Sequence, residues 1–122
     1  MITLAPLQDQ EKIKALFAEN HLAFGENAGC VAACAGEETL GYSLYDLRQD
    51  GMTIYQIVPD EDLMLADGIL RSTLHVAVQR GLTDAYYKGE SIERLAKKLD
   101  FILNPDEHSL NIQKLFQSCH GC

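Results

Sequence analysis

The chain has 122 residues, 47% of them hydrophobic, and its 18 acidic and 10 basic side chains give a formal net charge of -8. This length predicts one domain, residues 1–122, ending in a Cys-containing tail, residues 117–122. The acidic balance and the absence of a basic cluster argue against nucleic acid as a partner, because phosphate binding begins with a basic surface.

The first predicted elements are a strand and a helix. Residues 2–5, "ITLA", form a short strand candidate that ends at a proline. Asp9 is a suitable N-cap for the helix that follows, and Gly25 is a suitable stop. Helical spacing places four apolar residues on one face of that helix: Ile13, Leu16, Phe17 and Phe24.

The middle of the chain has the composition of a three-stranded meander. The segments "CVAACA", "LGYSLYDL" and "MTIYQIV" are rich in residues that favour strands, and the short spacers "GEET" and "RQDG" separate them. Asp50-Gly51 is a strong hairpin signal. The sequence therefore predicts three adjacent antiparallel strands.

Helical spacing returns after Pro59 and continues to Gly81, followed by a brief strand, "LTDAYY", and a second amphipathic helix, "SIERLAKKL". Two short strands then flank a five-residue loop, residues 104–108. The predicted order is β-α-βββ-α-β-α-ββ, an α/β chain in the sense of an α+β mixed sheet. A parallel pair after the meander requires a right-handed crossover through the helix.

The order of these elements resembles the GNAT superfamily of N-acetyltransferases over nearly the whole chain. Two segments add to the likeness: the strand end "IV-P" before a helix containing Gly68, and the late "SIERLAKKLDF". The resemblance identifies a short and degenerate member with the acyl-CoA N-acyltransferase fold. It implies that acetyl-CoA binds where the fourth strand splays from the fifth, with its pyrophosphate at the N-terminus of the next helix.

The pyrophosphate motif of that family is Gln/Arg-x-x-Gly-x-Gly/Ala, and the chain keeps little of it. Leu63 stands at the Gln/Arg position, Ala66 at the first Gly, and only Gly68 matches. Four carboxylates in the same junction would repel an anion: Asp60, Glu61, Asp62 and Asp67. The cofactor contacts implied by the resemblance are Ile57, Val58, Ala66, Asp67, Gly68 and Ile69, with the strand and Gly68 acting through main chain.

The same junction has a purely structural interpretation. If the helix begins at Leu63, then Asp62 is an ordinary N-cap, and neighbouring acids are favourable beside the positive end of the helix dipole. The sequence leaves open whether this carboxylate or a ligand caps the helix.

The proton donor of the family is also missing. Many members have a Tyr on the last helix before a Gly-Phe pair, and aligning that Phe with Phe101 places Ala96 at the Tyr and Asp100 at the Gly. Tyr86 and Tyr87, at the fifth strand, are substitute candidates because a phenol can donate to a thiolate. Aromatic residues at a strand end are more often packing residues, which is the favoured interpretation of both.

Candidates for a general base are few. Asp46 and Tyr55 on the meander and His75 on the following helix are the available polar positions, although each is more typical of a solvated strand edge or helix surface. Only "GENAG" stands where the family places a second helix. The acceptor side of the cleft is therefore predicted to be open unless a partner chain, such as a second copy in a homodimer, covers it.

The tail "SCHGC" has the Cys-x-x-Cys spacing of metal and redox sites. Cys119 and Cys122 are candidate metal ligands, but structural zinc uses four ligands. His108 or His120 could complete such a site. The two thiols could instead pair across a dimer or form a disulfide within the tail.

The remaining two cysteines do not complete a zinc site. Cys30 and Cys34 on one strand lie roughly 13 Å apart at about 3.3 Å per residue, which is too far for one ion. A zinc site is therefore disfavoured, and both cysteines are predicted to be buried packing residues. The chain also lacks an apolar run of roughly 18 residues and a signal peptide, so the predicted location is the cytoplasm, with no membrane contact and reduced thiols.

Three hypotheses on function follow. The first is an acetyl-CoA-dependent N-acetyltransferase acting on a small amine. The second is a catalytically silent GNAT-fold module for ligand sensing or interaction, because the phosphate motif and the Tyr are both lost. The third is a metal or thiol module that uses the C-terminal "CHGC".

Overall fold

The computed structural model describes residues 1–116, so the tail with Cys119, His120 and Cys122 lies outside the described residues. The elements in chain order are β1 (Ile2–Pro6), α1 (Gln10–Glu19), β2 (Ala28–Ala35), β3 (Glu38–Arg48), β4 (Gly51–Val58), α2 (Leu63–Gln79), β5 (Ala85–Tyr87), α3 (Glu90–Lys98), β6 (Ile102–Asn104), β7 (Ser109–Leu110) and a 3-10 helix (Ile112–Phe116). This order confirms the one predicted from the sequence.

The seven strands of residues 1–116 form one sheet in the order β1-β2-β3-β4-β5-β7-β6. The β4–β5 pair is parallel, and the other five pairs are antiparallel. A parallel pair requires a crossover, which α2 provides. The mixed α/β sheet predicted from the sequence is thus confirmed.

The two faces of the sheet pack against different helices. On the face called here the α2 face, α2 and α3 cover a core that includes Tyr45, Ile54 and Ile57. On the α1 face, Ile13 and Phe17 of α1 pack against β2 and β3. Helical spacing of the buried residues explains why this segment forms a helix with one face against the sheet. Six residues of α2 are buried: Ala66, Ile69, Leu70, Thr73, Leu74 and Ala77.

The first helix is shorter than predicted. It ends before Asn20, whose side-chain amide donates to the Leu16 carbonyl at 2.8 Å and so caps the last turn. The predicted stop at Gly25 is therefore wrong, and Phe24 lies beyond the helix. Its ring nevertheless packs edge-on against Phe17, with 5.7 Å between centroids, so the apolar contact survives without the helix.

No helix follows between α1 and β2, in agreement with the sequence analysis. Within residues 1–116, α1 is the only helix packed on the α1 face, and its core partners are on β2 and β3. Tyr55 on β4 is partly buried against this cluster, and within residues 1–116 β5 contributes no residue to it. Among the described residues, no helix combines the length and apolar character needed to cross a membrane.

Candidate functional site

The fourth and fifth strands separate where the resemblance places the cofactor cleft. β5 pairs with β4 only over residues 52–54, and the Lys88 amide donates to the Ile54 carbonyl at 3.0 Å as the last bond between them. Residues 55–58 of β4 pair with β3 alone among the described residues. One edge of this segment is thus left without a partner strand.

A β-bulge marks the start of this gap. The register between β3 and β4 shifts between Leu44, which pairs with Gln56, and Tyr45, which pairs with Ile54, so Tyr55 is the extra residue. A bulge bends its strand and redirects side chains. Both Tyr55 and Gln56 consequently make contacts on the α1 face.

The N-terminus of α2 is capped by a carboxylate of the chain. Asp62 Oδ1 accepts a hydrogen bond from the Leu65 amide at 3.2 Å, and the Asp62 carbonyl accepts one from Ala66. The interpretation of Asp62 as an N-cap is confirmed. Leu63 and Met64 are 42% and 89% exposed, so these apolar side chains do not fill the helix terminus.

The other acids of the junction are also engaged. Asp60 accepts from the Ser91 hydroxyl at 3.3 Å, which joins the start of α3 to the loop before α2. Asp67 forms an ion pair with Arg71 one turn later, at 2.9 Å. Gly68 has room for a side chain, because a Cβ there would meet only Leu4, at 3.5 Å.

The residues implied as cofactor contacts have main-chain groups that are more accessible to a ligand than their side chains. Ile57, Ala66 and Ile69 are almost fully buried, and their side chains belong to the core of the α2 face. Val58 and Gly68 are half-buried. The geometry brings the β4 edge and the start of α2 to the same end of the sheet, but whether these residues bind a cofactor stays a prediction.

An acid–phenol pair lies on the α1 face beside the gap. The Tyr55 hydroxyl donates to Asp46 Oδ2 at 2.6 Å, and Arg48 lies 3.4 Å from the same oxygen. Burial and the hydrogen bond to the Asp46 carboxylate raise the pKa of Tyr55 to about 12. Asp46 itself is only 9% exposed. Two of the predicted polar positions thus meet in one site.

The other candidate side chains lie elsewhere. Tyr87 is 2% exposed and stacks on His108, while its hydroxyl has no hydrogen bond to a described residue and burial raises its pKa. Because side chains alternate along a strand, the half-buried Tyr86 faces the opposite side from Tyr87, which is the α1 face. His75 is exposed and borders a different cavity, between β1 and α2.

The end of α3 holds the residues that align with the proton-donor segment of the GNAT superfamily. Ala96, at the position of the Tyr, is fully buried. Asp100, at the position of the Gly, has φ 60, which is the left-handed conformation that favours glycine. Phe101 is buried beneath Arg71 and Lys114, whose cationic groups lie 5.1 and 4.6 Å from its ring centroid.

Sequence reasoning missed a polar network next to this pair. The Asn20 side chain donates to the Tyr42 hydroxyl at 3.1 Å and accepts from Gln56 at 3.4 Å, which joins α1 to β3 and β4. Tyr42, Leu44 and Asp46 alternate along β3, so period-two spacing places them on one face. Nothing in the local sequence, however, indicates the partner on α1.

The described cysteines do not form a metal site. Cys30 is buried and Cys34 half-buried, and burial raises the pKa of Cys30 to about 12. Within residues 1–116, no three His, Cys, Asp or Glu side chains are grouped so as to hold a metal ion. The roles predicted for Cys119 and Cys122 lie outside the described residues.

Comparison by sequence finds no matching family model and no matching curated protein. Comparison by structure, in contrast, finds proteins of similar fold. A ribosomal-protein-alanine N-acetyltransferase from Brucella melitensis biovar Abortus 2308 has a TM-score of 0.60 at 12% identity, over 81% of this chain and 90% of that one. The ribosomal-protein-S18-alanine N-acetyltransferase from Escherichia coli has a TM-score of 0.57 at 15% identity, over 89% and 88%.

A GNAT-family protein from Desulfovibrio desulfuricans has a TM-score of 0.55 at 12% identity, over 82% of each chain. These likenesses extend over most of the chain, whose described residues form a mixed seven-stranded sheet with three α-helices. The chain therefore has the GNAT fold.

Proposed function

We propose that this protein is an N-acetyltransferase that transfers the acetyl group of a thioester, such as acetyl-CoA, to a small amine. The Asp46–Tyr55 pair carries this proposal, because it lies on the α1 face beside the point where β4 and β5 separate. A thioester arm along the free edge of residues 55–58 would bring its carbonyl to this pair.

The pair supplies both proton transfers of the reaction. The amine nitrogen attacks the thioester carbonyl, a C–N bond forms, and the C–S bond breaks to release a thiolate. Asp46 accepts the proton lost by the amine, and Tyr55 donates its proton to the thiolate. The hydrogen bond of 2.6 Å between them lets Asp46 return a proton to Tyr55. With a pKa of about 12, Tyr55 stays protonated at neutral pH.

The two parts of acetyl-CoA fit this chain unequally. A pantetheine arm contains amides that can bond to the unpaired strand edge, whose main chain does not depend on side-chain identity. The pyrophosphate does not fit the start of α2, where Asp62 already accepts from the Leu65 amide and Asp60 and Asp67 add negative charge. We infer that the donor is held through its arm.

Donor truncation tests this inference. Acetyl-CoA and S-acetylpantetheine, which lacks the pyrophosphate and the nucleotide, are compared for kcat/KM with a panel of small amines. We expect values within about tenfold, which corresponds to a contribution below about 1.4 kcal/mol from the missing part. A decrease in kcat/KM far greater than tenfold with S-acetylpantetheine would show that the protein binds the pyrophosphate. The Asp62→Ser variant, which keeps a capping oxygen without the charge, is expected to improve acetyl-CoA selectively.

Tyr55→Phe tests the assignment of the proton donor. It should lower kcat about a hundredfold, the lower end of the usual range for general acid–base catalysis. Tyr86→Phe is the matched control, since Tyr86 is half-buried on the same face. A loss of activity in Tyr86→Phe, with full activity in Tyr55→Phe, would move the role to Tyr86.

The capped helix and the alanine at position 96 favour a second candidate, the catalytically silent module. Isothermal titration separates the two candidates. If neither acetyl-CoA nor S-acetylpantetheine gives heat at millimolar concentration, and no amine is acetylated, the silent module replaces the enzyme. The metal or thiol module stays a prediction, which metal analysis of Cys119→Ser and Cys122→Ser would test.

A further inference from the structure

A cavity of about 470 Å³ lies at the end of the sheet where β2 begins and α2 ends. Its wall is formed by the loop after β1, the start of α1, the first residues of β2, the end of β3 and the last turn of α2. No residue of the Asp46–Tyr55 pair, the β4 edge or the start of α2 borders it. It is therefore separate from the site described above.

A largely buried tyrosine lines this cavity. Tyr45 is 4% exposed, and its hydroxyl is not among the buried polar atoms that lack a partner within residues 1–116, so we infer that the oxygen is open to the cavity. The ring rests on Gly29, where an added Cβ would lie only 2.5 to 2.8 Å from the ring carbons and the hydroxyl. Gly29 thus holds Tyr45 in this position, and both residues line the cavity.

A cation lies near the phenol. Arg80 is the C-cap residue of α2 and lines the same cavity, and it forms no ion pair with an acid in the described part of the chain. Burial raises the pKa of Tyr45 to about 12, so the phenol remains a donor at neutral pH, while Arg80 partly offsets this rise. The guanidinium therefore stabilises negative charge at the position of the Tyr45 oxygen.

Leu47 and Val76 line the cavity and pack with Tyr45 in the core of the α2 face, so they give the ligand an aliphatic contact. Much of the rest of the wall is polar, with Gln8, Gln10, Glu26, Asn27 and Gln79. A guanidinium and a phenolic donor together match the oxygens of a carboxylate. We propose that this cavity binds a small aliphatic carboxylate, with its oxygens between the Tyr45 hydroxyl and Arg80 and its hydrocarbon body against Leu47 and Val76. Glu26 on the same wall is a carboxylate with which an attached ammonium would pair, so a fatty acid and an amino acid share this chemistry.

Three probes of one carbon skeleton test the proposal in the full chain by two-dimensional amide NMR. They are 4-methylpentanoate, leucine and leucinamide, which carry the carboxylate alone, both charges, and the ammonium alone. We expect millimolar 4-methylpentanoate to shift the amides of Gly29, Tyr45 and Leu47, and leucinamide to leave them unchanged. A shift with leucine as well identifies an amino-acid source, and its absence identifies a free acid. No shift with either carboxylate overturns the proposal, as does equal binding of leucinamide.

Two variants separate this site from general surface binding. Arg80→Gln, at an exposed position, should weaken 4-methylpentanoate about tenfold, as expected for loss of a charged hydrogen bond. Tyr45→Phe keeps the ring on Gly29 and should also weaken it. Arg94→Gln, at an exposed position on α3, is the matched control and should leave binding unchanged. Equal affinity in wild type, Arg80→Gln and Tyr45→Phe would contradict the proposal.

Discussion

Two buried hydroxyl groups join the sheet to α2 at the centre of the fold. Thr73 Oγ1 donates to the Ile69 carbonyl at 2.7 Å, so its one proton is used within the helix. Ser43 on β3 lies 2.6 Å from Thr73 Oγ1 and must be the donor in that bond. Both side chains are fully buried, so neither has water as an alternative partner.

This direction of donation predicts unequal costs for the two substitutions. Thr73→Val keeps the side-chain volume but leaves the Ser43 proton without an acceptor, so we expect the free energy of unfolding to fall by about 1–3 kcal/mol. Ser43→Ala leaves the bond from Thr73 to Ile69 in place and should cost about 1 kcal/mol. Urea unfolding measures both, with the double variant completing the cycle. A larger decrease in the free energy of unfolding for Ser43→Ala than for Thr73→Val would contradict the assignment of Ser43 as the donor.

At the scale of elements, the end of α3 has a non-glycine residue in a backbone conformation that favours glycine. α3 closes with the Phe101 amide donating to the Ala96 carbonyl, and Asp100 adopts the left-handed conformation between them. α2 closes in a similar way with Gly81, which has φ 77. A non-glycine residue in that conformation costs about 1–2 kcal/mol. The negative charge of Asp100 is also unfavourable at a helix C-terminus.

Asp100→Gly is therefore expected to stabilise the chain by about 1 kcal/mol. Greater freedom of glycine in the unfolded chain offsets part of the gain. The lost ion pair with Lys114, 3.8 Å long at a 97% exposed carboxylate, contributes little. Thermal unfolding is the measurement, and Gly81→Asp is the matched control, which should destabilise. An unchanged or lower midpoint for Asp100→Gly would show that this turn carries no strain.

At the scale of the whole molecule, several groups keep their protons in the folded state. Burial raises the pKa of Tyr45 and Cys30 to about 12, and burial with the Asp46 hydrogen bond does the same for Tyr55. The ordinary values are 10.0 for tyrosine and 9.0 for cysteine. Above these values the unfolded chain releases protons that the folded chain retains. Their contribution to stability is thus complete below about pH 9 and is lost as the pH rises toward 12.

We therefore expect the free energy of unfolding to decrease between pH 9 and pH 12, measured by urea titration at fixed salt concentration. Tyr45→Phe removes one titrating group and should make the decrease shallower. Phe24→Leu, which alters an exposed aromatic residue that does not titrate, should leave the pH dependence unchanged. A stability that is constant or rises over this interval would contradict the assigned burial of these groups.

Local patterns were sufficient to determine the order of elements. Hydrophobic periodicity predicted the helices and strands, hairpin signals predicted the meander, and Asp62 before an apolar helix predicted the N-cap. These features depend on residues close together in the chain, so the sequence contains them directly. The mixed sheet was predicted from the helix between β4 and β5, which pair in parallel. A helix between two strands does not by itself fix their direction, because β1 and β2 flank α1 and pair antiparallel.

Only the tertiary structure decided which distant side chains meet. The contact of Asp46 with Tyr55 depends on a bulge in β4, and the end of α1 depends on the capping side chain of Asn20. The cavity at Tyr45 depends on β2, β3 and α2 together. A shift of one residue in strand register turns a side chain to the other face, and no local pattern fixes that register. The sequence by itself determined the fold and the loss of the phosphate motif, whereas packing assembled the site.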